Sequence, residues 1–101
     1  MKLVHATSRD RVERTGGVRQ CGLKRKYAVM KRKAIWCVPE GNMDVAHQHI
    51  AKKRVPLSQI VFCFFEVPDS WLRAHGDGSY YIDRDIPASM IRLEAIFRGG
   101  I

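Results

Sequence analysis

Near the start of the chain, His5-Ala6-Thr7-Ser8 joins an imidazole to two hydroxyls at the end of an apolar stretch. An imidazole can donate to or accept from a sugar hydroxyl, and the hydroxyls can serve a ligand or cap a helix. Read alone, His5 is equally a core or edge histidine with one satisfied hydrogen bond, and both readings stay open. A second group, Trp36-Cys37, offers a flat indole face and a thiol. A third, His47-Gln48-His49, invites a zinc reading with Cys37. Residues two apart on a helix face about 200° apart, so both histidines do not readily hold one ion. With neither a CxxC pair nor HExxH, no metal site is expected. Cys21, Cys37 and Cys63 are odd in number and far apart, which fits free thiols in a reducing cytosol. Apolar neighbours raise a thiol's pKa, so Cys37 and Cys63 read as structural rather than nucleophilic. A Walker loop and a GxGxxG turn are missing too.

The elements that must position these groups follow from periodicity. Residues 2–7 read as a first strand, with Leu3 and His5 on one face and Val4 and Ala6 on the other. Thr7 or Ser8 caps a short helix that Gly16-Gly17 ends. Residues 18–33 read mostly as a basic loop. Residues 34–38 form a strand closed by Pro39-Glu40-Gly41, and Asn42 caps a helix to about Arg54. Residues 59–67 are the strongest strand, apolar enough for burial on both faces. A turn at residues 68–72 includes one helical turn, and two further strands span 79–83 and 90–97. The result is a compact single α+β domain over residues 1–101, with a mixed, mostly antiparallel sheet and two or three short helices.

Charge is distributed unevenly. Residues 1–54 hold 14 Lys/Arg against 4 Asp/Glu, whereas residues 55–101 hold 4 against 6. The cations cluster as Lys24-Arg25-Lys26 with Lys31-Arg32-Lys33, and as Lys52-Lys53-Arg54. Such clusters attract phosphates, so nucleic acid or another polyanion is an expected partner. The alternative is a solvated surface that keeps the protein soluble. No apolar run approaches the roughly 18 residues of a membrane span, and a cytoplasmic protein is expected.

With "LVHATSRDRVERTGGVRQCGL" leading into "AIWCVPEGNMDVAHQHIAKK", and "IVFCFFEVPDSWL" into "GSYYIDRDIPASMIRLEAI", the order of motifs resembles the ADP-ribosyltransferase-like fold. That family includes small bacterial toxins, poly(ADP-ribose) polymerases and tRNA 2′-phosphotransferases. The resemblance runs over most of the chain and implies NAD as cofactor. It implies that His5 hydrogen-bonds a ribose hydroxyl and that Ala6 and Thr7 belong to the nicotinamide site. It also implies that Trp36, where the family usually has tyrosine, packs on the nicotinamide ring, with both side chains lining one cleft.

The resemblance further implies a catalytic position on the strand beginning at "GSYYI". There the family's glutamate is replaced by Ser79, followed by Tyr80, with Asp77, Asp83 and Asp85 as nearby carboxylates. A carboxylate at that position stabilises the oxocarbenium-like ribose as nicotinamide leaves, a task a hydroxyl performs without charge. Ala6 replaces a frequent glycine, and Val4 stands where the phosphotransferases carry arginine. The implied activity is NAD-dependent ADP-ribosyl transfer to a nucleic acid or an associated protein, in a degenerate or altered form. The alternative is a non-catalytic basic nucleic-acid-binding module.

Overall fold

The computed structural model of the chain describes residues 1–14, 17–27, 33–52, 54–75 and 78–95. Strand β1 spans Lys2–Ser8, and Ser8 then accepts the Arg11 backbone N–H at 3.3 Å to cap helix α1, Arg9–Glu13. A second short helix, α2, spans Val18–Cys21, and β2 spans Lys26–Tyr27. These two interrupt what patterning alone reads as loop. Strand β3 covers Lys33–Pro39, and a 3-10 turn at Glu40–Asn42 leads into helix α3, Met43–Ala51. Strand β4 is Ile60–Glu66, followed by β5 at Leu72–Ala74, β6 at Tyr80–Ile82 and β7 at Ile91–Ala95.

One sheet runs β5-β6-β3-β1-β4-β7, with β2 paired to β3, and every ladder among the described residues is antiparallel rather than mixed. Its middle is uneven. Strands β1 and β4 stay in register over seven pairs, from Lys2–Glu66 to Ser8–Ile60, whereas β1 and β3 share only Leu3–Pro39 and Val4–Val38. Beyond Val4 the β1–β3 ladder stops, so two three-strand units, β1-β4-β7 and β3-β6-β5, are joined along one short seam.

Strand alternation sorts the core into two layers. On one side Leu3, Ile35, Cys37, Val61, Cys63, Phe65 and Ile82 pack with Val12, Val18, Leu23 and Ile86. On the other, Val4, Val38, Ile60 and Phe62 meet Ala46 and Ile50 of α3. β4 is consequently covered on both faces, which its unbroken apolar run anticipates. Burial of a Val, Leu, Ile or Phe side chain contributes about 1.5–3 kcal/mol, so these layers fix the strands that carry the site. The result is a compact single α+β domain, and among the described residues no helix is long and apolar enough to cross a membrane.

Candidate nucleotide site at the seam

His5 lies where the β1–β3 ladder ends. It stands opposite Cys63 on β4 and leaves β1 on the Leu3 side. Its Nδ1–H donates to the Trp36 backbone carbonyl at 2.5 Å, closing the gap that the missing ladder leaves. A carbonyl only accepts, so the proton is on Nδ1, and in the neutral ring Nε2 is the acceptor. Thr7, on the same side of β1, is 4% exposed and faces into the larger cluster.

Trp36 points the other way. Its neighbours Ile35 and Cys37 face the larger cluster, so the half-buried indole lies on the α3 side of the sheet, the side that also holds Ala6. The expectation that the His5 and Trp36 side chains line one cleft is therefore corrected. They meet through the Trp36 backbone, and alternation along two staggered strands sends the rings to opposite sides.

Tyr81 pairs directly with Trp36 in the β3–β6 ladder and so shares its side. His75, just past β5, sets its ring edge-on to the indole, with centroids 4.9 Å apart and planes at 86°. Ser79 lies between the strands that carry those two rings. Its carbonyl accepts the His75 N–H at 3.0 Å, and alternation from Tyr81 places its side chain on the indole side. It is 1% exposed, a covered residue beneath the aromatic pair rather than an open catalytic group. Tyr80 faces the other layer, packed against the larger cluster, and its carbonyl accepts the Cys37 thiol at 3.7 Å. Tyr81 and His75 are thus the residues that sequence reasoning missed. Counting by two from Ser79 identifies Tyr81, whereas His75 depends on a β5–β6 pairing that its own flanks do not announce.

The aspartates near Ser79 have other commitments. Asp85 accepts the Arg25 backbone N–H at 2.9 Å and its Nε–H at 3.1 Å, with Lys24 Nζ at 3.8 Å. The Arg25 backbone N–H, reinforced by the Arg25 and Lys24 charges, holds the Asp85 carboxyl below its ordinary range, against the opposing effect of desolvation. Asp83 offers its carbonyl to Arg25 at 3.1 Å, and its carboxylate lies 4.0 Å from Arg84, whose guanidinium covers Trp71. Asp77 lies outside the described residues.

Of the basic clusters, Lys24, Arg25, Lys33, Lys52 and Arg54 are exposed. Lys26 is on β2, while Lys31, Arg32 and Lys53 lie outside the described residues. Asp85 partly neutralises the first cluster. The thiols of Cys37 and Cys63 are pushed up to about 12 by burial. His47 rests edge-on against Phe62 at 5.0 Å, and no group of three metal-binding side chains occurs among the described residues. An open groove of about 370 Å³ is lined by Val18, Arg19, Ala88, Ile91 and Leu93, none of them a residue singled out from sequence. Comparison with known protein families, curated proteins and solved structures returns no match.

Proposed function

We propose that the protein is an ADP-ribosyltransferase-like protein that binds NAD on the α3 side of the seam, with a nucleic acid or an associated protein as its target. The observation that carries this reading is the half-buried Trp36 indole, bordered by Tyr81 and His75 where β1 and β3 part. An indole face and its aromatic neighbours suit a flat nicotinamide ring. Across the seam, Ala6 adds little side-chain bulk beside a backbone already diverging from β3. His5 acts from behind this surface: its bond to the Trp36 carbonyl positions the strand that carries the indole. The exposed Lys24, Lys33, Lys52 and Arg54 supply the attraction for a phosphate-rich target.

Chemistry at this site is slow on the same reading. Ser79 places no negative charge where the reacting ribose becomes cationic, and one well-placed electrostatic group is commonly worth on the order of 10²–10³ in rate. Ground-state binding is served by the aromatic surface and survives that loss.

Calorimetric titration with NAD tests the proposal, together with Trp36 fluorescence in a Trp71→Phe background. NAD should bind and quench the indole, Trp36→Ala should remove binding, and nicotinamide release should be slow. A wild-type chain that shows no NAD binding at millimolar concentration refutes it. Salt-dependent RNA or DNA binding in that chain would favour the non-catalytic basic module, to which the same exposed cations point.

A further inference from the structure

The α1 end of β1 carries a charge that no other group in the described chain answers. Arg9 follows Ser8 as the first residue of α1, and it is only partly exposed. Its Nε–H is enclosed by protein and meets no acceptor. Among the described residues its guanidinium has no acidic partner, because the adjacent Asp10 pairs with Arg14 at 2.7 Å. A guanidinium is permanently charged and carries five N–H donors, so enclosing one without an acceptor is costly. Native structures rarely leave such a group unanswered, and a bound ion is one usual answer.

The surroundings add positive charge. Arg11 is lowered from its ordinary range by burial and then by the charge of Arg14, and it too has no acidic partner among the described residues. Ser8 stands opposite Ile60 at the start of β4. The segment entering β4 carries exposed Lys52 and Arg54, and Ile60 shares a cluster with Ile50 of α3, on the other side of the sheet from Val12 of α1. Arg54 is held at φ 55, a left-handed conformation uncommon for a residue with a side chain.

We propose that Arg9 anchors a diphosphate-binding site at the α1 end of β1. The diphosphate comes either from a dinucleotide seated on Trp36, a form that rests on the NAD reading above, or from free pyrophosphate. The guanidinium fork offers parallel donors to phosphate oxygens, which a lysine cannot reproduce.

The test is titration calorimetry of the full chain with inorganic pyrophosphate and, separately, with NAD, plus melting curves in anion-free buffer. Arg9→Gln should weaken pyrophosphate by about tenfold or more, Arg9→Lys should fall between, and Trp36→Ala should leave pyrophosphate binding unchanged. NAD should weaken with both Arg9→Gln and Trp36→Ala. In anion-free buffer Arg9→Met should melt higher than wild type, because an enclosed N–H without an acceptor is gone, and pyrophosphate should raise the melting temperature of wild type but not of Arg9→Met. Pyrophosphate bound through Arg9 in a protein that ignores NAD supports the anion site, makes free diphosphate its source and removes the NAD reading. NAD binding that responds to Trp36→Ala but not to Arg9→Gln overturns the Arg9 assignment and leaves the NAD reading intact. Equal pyrophosphate affinity in wild type and Arg9→Gln overturns it as well.

Discussion

Gly22→Ala should be among the most damaging single-methyl additions to this protein. Gly22 is buried at φ 74, and a Cβ placed on it would lie 1.9 Å from the Ile86 carbonyl oxygen, 2.7 Å from Ala88 N and 2.8 Å from the Pro87 carbonyl carbon. These are backbone atoms, so no flexible side chain can move aside. At φ 74 and ψ −162 the backbone lies in a positive-φ region that essentially only glycine occupies, which costs an alanine about 1–3 kcal/mol. Relieving the overlap requires residues 86–88 to withdraw, which breaks the reciprocal Leu23–Ile86 backbone bonds, each 2.9 Å long. Leu23 is 5% exposed and Ile86 0%, so water cannot readily replace those bonds. Each buried group left unsatisfied costs about 1–3 kcal/mol. The total expected is at least about 3 kcal/mol, a large part of a small domain's stability. Urea denaturation measures it as a lowered midpoint at unchanged slope. Gly41→Ala is the control: nothing lies within 4 Å of its added Cβ, and a surface change of that kind should stay within about 0.5 kcal/mol. A Gly22→Ala loss below about 1 kcal/mol would refute the reasoning about close approach and positive-φ backbone.

Thiol labelling at pH 8 should modify Cys21 alone in the folded chain, because burial holds Cys37 and Cys63 up near 12, and all three after denaturation. Rapid native labelling of Cys63 would contradict the covered β4. Asp85→Asn should destabilise at neutral pH, with the difference from wild type closing in acid. The folded-state pKa of Asp85 is depressed by the Arg25 backbone N–H and the nearby charges. Its stabilising contribution is therefore complete above the unfolded carboxylate value of roughly 4 and is lost as pH falls through the lower, folded one. Denaturation midpoints of the two proteins between pH 7 and pH 2 check this, and a gap that persists at the acid end would contradict it.

Much of the scaffold is legible in local pattern. The alternation of residues 2–7 and the apolar block at 59–67 match β1 and β4 within a residue or so, and Ser8 is the helix cap that its type suggests. α3 is less direct, since residues 40–42 form a tighter turn before the helix proper begins at Met43. The short elements α2, β2 and β5 escape because two to four residues carry no readable period, and only docking against distant partners defines them. The site suffers most from that limit. Which ring accompanies Trp36 depends on the β3–β6 register, and one step decides between Tyr80 in the core and Tyr81 beside the indole. The burial of Ser79 and the enclosure of the Arg9 Nε–H are tertiary properties that no local pattern announces.

The central place of β1 shapes how the chain acquires its structure. Val4 must wait for Val38 and His5 for Cys63 before either has its neighbour. Such non-local closure slows folding, because chain entropy is lost before contacts repay it. Until β4 has emerged from the ribosome, Leu3 and Val4 are apolar side chains on a strand with an open edge, the kind of species that associates with other chains. The two-pair seam leaves β3, β6 and β5 able to close their own ladders without β1. Docking of the β1-β4 pair onto that half then comes late, and the His5–Trp36 bond records that the two halves have met.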